Sequence, residues 1–237
     1  MSIYAGPNIV TNNLILYVDA ANSKSYSGSG NDWYDLSGNG YDGTITGATY
    51  YSENEGKFLF NGSDGHVSIS GTTNLNLTSK ISISFWCYNI STPTGYASHH
   101  ISKCQNGTTS NSNFVNYFYK SAPYTRMIDF GANRGGTWGP VSPMSPALEL
   151  NTWYNIGWSY DSVIGGRLFL NGYEVSGGPV GSGTLASNTD PIRIGHYFYP
   201  GHNYYNGYIS CLSIYNTNLS SNDFLQNYNS TKGRFGL

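Results

Sequence analysis

The stretch Ile81-Ser82-Ile83-Ser84-Phe85-Trp86-Cys87-Tyr88 alternates between two kinds of position. Its odd-numbered residues, two isoleucines, a phenylalanine and a cysteine, fall on one face of an extended chain, because successive side chains of a strand point to opposite sides. The stretch Trp153–Tyr160 repeats the pattern with an apolar face made of its even-numbered residues. These two segments therefore predict core strands of a β-sheet protein.

Clusters of turn-forming residues separate further short segments that are rich in aromatic and β-branched residues, a pattern typical of antiparallel strands. About ten strands are predicted in all, which is enough for a sandwich of two sheets. The dipeptide Asn171-Gly172 predicts a type I′ hairpin, because both residues tolerate positive φ. Besides the two core strands, the predicted strands are Leu14–Val18, Lys57–Phe60, Val67–Ile69, Phe114–Tyr119, Met127–Phe130, Arg167–Leu170, Ile192–Ile194 and Tyr208–Tyr215.

Helix is predicted only near the end of the sequence, where Ser220 or Ser221 caps a short helix that closes at Gly233. No internal repeat and no low-complexity linker divides the sequence, so residues 13–237 are expected to form one domain. Residues 1–12 lie outside the patterned region. They are interpreted either as an attachment arm or as a poorly ordered terminus.

Charged residues make up only 10% of the chain and aromatic residues 16%, whereas charged residues average roughly 25% in soluble proteins. This composition favours strands and turns, and it supplies enough apolar surface for a core. The net charge is -2, and 11 Lys and Arg residues form no basic stripe, so nucleic acid is not an expected partner. No stretch is apolar enough for membrane insertion, and Met1–Thr11 does not have the pattern of a secretory signal.

Several segments follow one another in a recognisable order. Asn13–Asn22 opens the series, and Asn206-Gly207-Tyr208-Ile209 begins a closing segment that ends in Lys232–Leu237. Together the segments resemble the laminin-G-like jelly roll of the concanavalin A-like lectin/glucanase superfamily, in the form common in tailed-phage virion proteins. Between the two ends the resemblance is carried by Trp33–Gly40, Phe58–Gly62, Ile83–Trp86, Trp153–Ile156 and Leu168–Gly172.

The resemblance implies an all-β fold, a jelly-roll β-sandwich of two antiparallel sheets with one short C-terminal helix. It also implies a non-enzymatic virion structural protein, such as a capsid decoration, head-fibre or tail-fibre component, assembled in the host cytoplasm. The expected partners are other virion proteins of the capsid or tail, further copies of the chain, and cell-surface glycans. A stand-alone carbohydrate-binding module is the alternative, and a glycoside hydrolase or lyase is a third reading. The sequence departs from many relatives at Ser210, where they carry an acidic residue.

Hydrolysis of a glycosidic bond on this fold would need two carboxylates on one strand face, about 5–5.5 Å apart in a retaining enzyme. Glu53 and Glu55 have suitable spacing, but they lie in a polar stretch ending in glycine, which favours a solvated turn. Asp129 and Glu174 have no partner at that spacing. Serine-hydrolase, P-loop and dinucleotide motifs are absent from the sequence, so no catalytic residues are predicted.

A structural calcium ion is considered because relatives with this fold often hold one, with oxygen ligands from loop carboxylates and amides. Asp35 and Asn39 lie in a Gly-rich loop together with Asp42, and Asp64 lies in a second loop. The alternative is that these side chains close turns through hydrogen bonds to the nearby backbone. Asp35, Asn39 and Asp64 are the predicted calcium ligands.

Two features involve reactive or aromatic side chains. The cysteines Cys87, Cys104 and Cys211 are odd in number and widely spaced, which favours free, buried thiols. The segment His196–Tyr205 is unusually dense in aromatic residues. Exposed rings stack on sugars and anchor interfaces, whereas packing is the alternative for this segment, for Tyr204 and Tyr205 in particular, and for His99, His100 and the Thr137–Pro140 loop. The predicted ligand-binding residues are Tyr197, Tyr199, His202, Tyr204 and Trp138.

Overall fold

The computed structural model describes residues 8–104, 112–197 and 204–237. Over these ranges the chain consists mainly of strands, with the α-helix α1 at Ser221–Thr231 and short 3₁₀ helices at Glu53–Glu55, Thr73–Leu75 and Lys232–Phe235. In chain order the strands are β1 (Leu14–Asp19), β2 (Asp32–Trp33), β3 (Gly43–Thr46), β4 (Thr49–Tyr51), β5 (Lys57–Asn61), β6 (His66–Ile69), β7 (Lys80–Asn89), β8 (Ala97–Ser98), β9 (Ile101–Lys103), β10 (Phe114–Tyr119), β11 (Ile128–Arg134), β12 (Thr137–Pro140), β13 (Trp153–Asp161), β14 (Gly165–Leu170), β15 (Tyr173–Glu174), β16 (Ile192–Ile194) and β17 (Asn206–Tyr215).

The strands form two antiparallel sheets whose inner faces share one hydrophobic core. Sheet A has the order β15-β14-β13-β7-β17-β5-β4, and β1 pairs with the C-terminal half of β17. Sheet B has the order β12-β11-β10-β9-β16-β6-β3-β2, and β8 pairs with β10 beyond the end of β9. The predicted all-β sandwich is therefore confirmed.

The core is organised around β7, which pairs with β13 on one side and with β17 on the other. Its residues Ile83 and Phe85 are buried in the core, as the alternating pattern predicts. From β13, the ring of Trp158 stacks on Phe130 of sheet B, with the ring centroids 4.7 Å apart. The indole Nε1 of Trp158 donates a hydrogen bond of 2.9 Å to the carbonyl of Val141, so this ring joins the two sheets.

Every strand predicted from the sequence is present, with ends that differ by a few residues. Asn171 and Gly172 have φ values of 51° and 81° and join β14 to β15, which confirms the predicted hairpin turn. The prediction did not include β2, β3, β4, β8, β9 and β12, whereas β15 is the second strand of the predicted hairpin. Strands of two to four residues are too short to show a repeating pattern.

Helix α1 begins with a capping box. The Ser220 hydroxyl accepts a hydrogen bond from the Asp223 N–H, and the Asp223 carboxylate accepts one from the Ser220 N–H. The predicted closure at Gly233 is wrong: Gly233 lies inside the last 3₁₀ helix, and Gly236, with φ of 73°, follows it. The chain stays helical past Gly233 because Phe235 stacks on Trp86, with centroids 4.2 Å apart. None of the helices in the described ranges is long and apolar enough to cross a membrane.

The first described residues lie against the C-terminal part of the domain. The Val10 N–H donates to Asn227 Oδ1 at 2.8 Å, and the Val10 carbonyl accepts from the Tyr215 hydroxyl at 3.0 Å. Gln226 donates to the Asn8 carbonyl at 2.8 Å. Asn8 and Val10, which belong to the predicted arm, are therefore docked on the domain, while residues 1–7 lie outside the described ranges.

A buried ion pair attaches the C-terminal segment to sheet A. The guanidinium of Arg234 contacts both carboxylate oxygens of Asp19 at 3.0 Å, and both side chains are about nine-tenths buried. Arg234 also donates a 2.7 Å hydrogen bond to the hydroxyl of Ser210. All three cysteines are free and buried, as predicted.

We expect Arg234→Met to lower the free energy of unfolding by about 3–5 kcal/mol, because it leaves the Asp19 carboxylate buried without its counter-charge. Urea denaturation measures this loss. Lys80→Met is the matched control: Lys80 pairs with Asp161 at 3.2 Å, but its side chain is 52% exposed, so a loss below about 1 kcal/mol is expected. Equal losses in the two variants would contradict the structural role of the buried pair.

Candidate functional site

Strand β10 is apolar on both faces. Phe114 and Phe118 point into the core between the sheets, whereas Val115, Tyr117 and Tyr119 form part of a separate hydrophobic cluster on the outer face of sheet B. Tyr117 and Tyr119 stack on each other with ring planes 10° apart and centroids 5.5 Å apart. The inner residues are fixed by the core, so the alternation along the strand fixes the outer tyrosines as well.

Trp138 of β12 lies across the outer face of β11. This is possible because the facing position is glycine: a Cβ atom on Gly131 would lie 2.8 Å from the indole of Trp138 and 3.2 Å from the ring of Tyr117. The rings of Tyr117 and Trp138 meet edge to face, with centroids 6.4 Å apart. The absence of a side chain on Gly131 therefore leaves space for the indole of Trp138 beside the ring of Tyr117.

These side chains enclose an open cleft on sheet B with a volume of about 600 Å³. Tyr96 and Tyr124 stand at its rim, 60% and 44% exposed, and both rings contact Tyr119. We call this feature the aromatic cleft. Its lining includes Tyr96, Tyr117, Tyr119, Tyr124, Tyr197, Trp138, Met144 and Asp129.

Asp129 supplies the carboxylate of the aromatic cleft. It lies on β11 opposite Tyr117 and is only 6% exposed. Its Oδ1 accepts a hydrogen bond of 3.0 Å from the Tyr119 hydroxyl. Burial raises the pKa of Asp129 from 3.8 to about 6, and the Tyr119 hydrogen bond opposes that rise. The cleft thus combines aromatic surface with the carboxylate of Asp129, whose negative charge is unfavourable in a buried position.

Two of the predicted ligand-binding residues line the aromatic cleft: Trp138, which is half-buried, and Tyr197, which is 1% exposed. Tyr204 lies elsewhere, where it stacks on His196 with centroids 3.9 Å apart and lines a smaller cavity of about 140 Å³. Tyr199 and His202 lie outside the described residues. The structure therefore brings only part of the predicted set into one site.

The packing alternative holds for three other aromatic positions. Tyr205 is fully buried and donates a hydrogen bond to the Tyr88 carbonyl at 2.9 Å. His100 is buried between the sheets, with its ring nitrogens 2.6 Å from Asn116 Oδ1 and 2.9 Å from Asn89 Oδ1. Burial lowers the pKa of His100 to about 4. His99 is also buried, and its ring packs against Tyr117 and Tyr197 beneath the cleft.

The predicted calcium ligands are engaged in turns. Both carboxylate oxygens of Asp35 accept hydrogen bonds, from the N–H groups of Tyr17, Ser37 and Tyr41 and from the Ser37 hydroxyl. Asn39 donates to the Ile15 carbonyl, in the same loop region. These bonds support the turn-closing alternative, and within the described ranges no group of three or more His, Cys, Asp or Glu side chains is arranged to hold a metal ion.

Asp64 belongs to the other predicted calcium loop. It is exposed, and its Oδ1 accepts a 2.6 Å hydrogen bond from the amide of Asn61. The carboxylate pair considered from the sequence, Glu53 and Glu55, forms an exposed 3₁₀ turn, as interpreted. Calcium binding at Asp35, Asn39 and Asp64 stays a prediction. No role in a mechanism is assigned to an ion at these turns.

The sequence reasoning did not select Tyr117, Tyr119, Tyr124 or Asp129 as site residues. One signal was present: apolar and aromatic residues of the segment Phe114–Tyr119 occupy both alternating sets of positions, interrupted at Asn116, whereas a strand with one solvated face should alternate. Apolar residues at the outer positions of such a strand indicate that its outer face also packs against other side chains or binds a ligand.

Comparison with known proteins assigns the family. A laminin-G-type family model, described as the concanavalin A-like lectin/glucanases superfamily, matches residues 61–223, more than half of the chain. The chain belongs to this superfamily. The predicted jelly-roll family is thereby confirmed. No curated protein sequence matches the chain.

Solved structures of this superfamily fold match the chain at low sequence identity. Trypanosoma rangeli sialidase in complex with sialic acid matches with a TM-score of 0.69 and 14% identity, over 97% of this chain and 35% of the sialidase chain. Domain 4 of AbnA, an extracellular arabinanase from Geobacillus stearothermophilus, in complex with arabinotriose, matches with a TM-score of 0.68 and 16% identity, over 91% of this chain and 98% of that domain. The receptor binding domain of botulinum neurotoxin C/D mosaic serotype matches with a TM-score of 0.68 and 14% identity, over 92% of this chain and 51% of that one. This chain therefore spans only part of the sialidases, and such identities show a common fold alone.

We expect Asp129→Asn to stabilise the protein near pH 7.5 by about 1–3 kcal/mol. The raised pKa of Asp129 means that the folded state binds a proton more tightly than the unfolded chain, so ionisation of this group costs stability as the pH rises from about 4 to 6. The advantage of the variant should therefore fall to a small fraction near pH 4, where the folded wild-type side chain is protonated and that of the unfolded chain is about half ionised. Urea denaturation at several pH values measures this, with Asp32→Asn, which alters an exposed carboxylate outside the cleft, as the control. A gain that is the same at pH 4 and pH 7.5 would show that burial of the charge is not its cause.

Proposed function

We propose that this domain is a non-catalytic carbohydrate-binding domain and that the aromatic cleft holds the sugar. The observation that carries the proposal is the arrangement of Tyr117, Tyr119 and Trp138 around the single carboxylate of Asp129. Aromatic rings pack against the apolar faces of sugar rings, and a carboxylate accepts hydrogen bonds from sugar hydroxyls. The cleft offers both kinds of contact on one surface.

The size and the rim of the cleft support the same function. A volume of about 600 Å³ lies within the range of ligand-binding clefts, roughly 300–1,000 Å³. The exposed rings of Tyr96 and Tyr124 line the same cleft as the indole of Trp138, so a bound sugar would contact several aromatic rings. Large exposed aromatic side chains keep apolar surface in contact with water, which is unfavourable, and such side chains are enriched at binding surfaces.

The structural neighbours give independent support for sugar binding. The arabinanase domain in complex with arabinotriose matches this chain over 98% of its own length, so a separate domain of this size and fold is seen with a sugar. The match to a toxin's receptor binding domain points towards recognition as well. The sialidases match over 35% of their length, which gives weaker support for a hydrolase.

The chemistry of the cleft supports binding over catalysis. Glycoside hydrolases generally use two carboxyl groups that flank the scissile bond. Among the described residues that line the aromatic cleft, Asp129 is the one acidic side chain. A single carboxylate among aromatic side chains can accept hydrogen bonds from a ligand, but it does not supply the carboxyl pair that hydrolysis generally requires.

We further propose that the domain is displayed on a phage particle, where sugar binding would serve adhesion to a host surface. The support is the resemblance of Asn206–Leu237 and the preceding segments to virion modules. Its partners would then be capsid or tail proteins and further copies of the chain, with assembly in the host cytoplasm and attachment through the N-terminal arm.

We expect Trp138→Ala to weaken binding of the preferred oligosaccharide by about 30-fold, since removal of a central aromatic contact typically costs about 2 kcal/mol. A glycan array identifies the oligosaccharide, and isothermal titration calorimetry measures the affinities. Tyr124→Ala should weaken binding in the same direction. Tyr173→Ala is the control, because Tyr173 is 65% exposed but lies on β15 of sheet A. Unchanged affinity in the Trp138 and Tyr124 variants, with both folded, would remove the cleft as the site.

The virion proposal predicts that a protein without residues 1–7 folds normally and no longer joins particles. This truncation keeps Asn8 and Val10, whose hydrogen bonds dock the chain on α1 and Tyr215. Purified particles assembled with the truncated and the full-length protein are compared by their protein content. Normal incorporation of the truncated protein would refute the attachment role of the arm.

A further inference from the structure

The aromatic cleft contains a buried acid without a facing cation. Asp129 is 6% exposed, and the described lining residues besides it are aromatic, apolar, hydroxyl-bearing or glycine. The titratable groups that line the cleft around Asp129 are tyrosines, Tyr117 and Tyr119 of β10 together with Tyr96, Tyr124 and Tyr197. The buried imidazole of His99 packs against Tyr117 and Tyr197 beneath them. A carboxylate in this setting keeps its negative charge directed at the ligand space.

Three cationic side chains on segments that adjoin the cleft make contacts with other groups. Arg134, next to Gly139 at one end, donates to the Ser182 carbonyl. Arg126 pairs with Glu149 at 3.2 Å, and Lys120 donates to the Thr94 carbonyl at 2.6 Å. None of these three side chains contributes to the lining of the cleft in the described structure.

Asp129 also has unused acceptor capacity. An ionised carboxylate has about four lone-pair positions, and the described residues fill one of them, through the Tyr119 hydroxyl on Oδ1. Oδ2 has no donor among the described residues. Hydroxyl groups of a ligand would complete this set with charge-assisted hydrogen bonds, which are about twice as strong as neutral ones.

We propose that the cleft selects uncharged oligosaccharides, with Asp129 accepting hydrogen bonds from their hydroxyl groups and excluding sugars that carry carboxylate groups. The inference rests on the proposed function. A second carboxylate brought into this desolvated space would face the charge of Asp129 across a short distance with little screening, which is strongly unfavourable. Sugars that carry sialic or uronic acids at the contact position are therefore poor ligands.

Protonation of Asp129 should relax this selectivity. The carboxyl group has a pKa raised to about 6 by burial, so it is largely ionised at pH 7.5 and largely protonated at pH 5. At the lower pH the repulsion of an acidic sugar disappears, and one acceptor becomes a donor. The preference for uncharged sugars is therefore expected at neutral pH and should decline in acid.

The test uses an array that carries uncharged oligosaccharides beside their sialylated and uronic-acid counterparts, followed by calorimetry on matched pairs. At pH 7.5 the wild-type protein should bind the uncharged member at least about tenfold more tightly. Asp129→Asn should lose about tenfold in affinity for the uncharged member, the loss typical of a hydrogen bond to a charged group, and should narrow the difference within each pair. Asp32→Asn, which alters an exposed carboxylate of β2 outside the cleft lining, is the matched control and should behave as the wild type.

The outcomes separate the two proposals. If wild-type protein binds acidic and uncharged members equally, or Asp129→Asn keeps the full preference, the selectivity inference is wrong while sugar binding in the cleft stands. If no carbohydrate binds, or binding ignores Trp138→Ala, the proposed function itself is wrong. Should Asp129→Asn fail to fold, the wild-type preference at pH 7.5 and pH 5 decides: an unchanged preference overturns the inference.

Discussion

The stacking of Trp158 on Phe130 joins the two sheets, and the rest of the structure depends on the packing around it. Trp158 comes from β13, which is locked to β7 by continuous pairing, and Phe130 comes from β11 of the opposite sheet. A Cβ atom on Gly166 would lie 1.8 Å from the Val141 carbonyl oxygen and 2.8 Å from the Trp158 Nε1 atom. Only glycine at this position therefore leaves space for the indole and its hydrogen bond. The buried side of β11 is fixed by this contact.

The outer face of sheet B follows from the same constraint. Residues of a strand alternate between faces, so once Phe130 is held in the core, its neighbours Asp129 and Gly131 must point outward. The same holds on β10, where buried Phe118 places Tyr117 and Tyr119 outside. The candidate site is thus built on rigid strands whose inner residues pack the core, which keeps its rings and its carboxylate in place without a bound partner.

Much of the fold was predictable from the sequence, whereas the site was predictable only in part. Long segments such as Ile81–Tyr88 carry enough alternation to define a strand, and Asn171-Gly172 defines a turn by backbone chemistry alone. The aromatic cleft needed more, because its members come from separate strands and loops whose pairing register is a property of the whole sheet. Trp138 was selected as an aromatic in a loop, yet its position depends on Gly131, and no local pattern reveals that relation. Asp129 has no partner at catalytic spacing in the sequence, and its setting among tyrosines supports the hydrogen-bonding role proposed for it.

The proposed sugar site is the outer face of β10 to β12, between Trp138 and the tyrosines. A crystal structure of the protein with an oligosaccharide from the array tests it most directly. We expect a sugar ring packed against Trp138 or Tyr124. One of its hydroxyl groups should lie within hydrogen-bonding distance, about 2.5–3.0 Å, of Asp129 Oδ2. A sugar bound at another surface, such as the loop around Asp35, with none in the cleft, would contradict it.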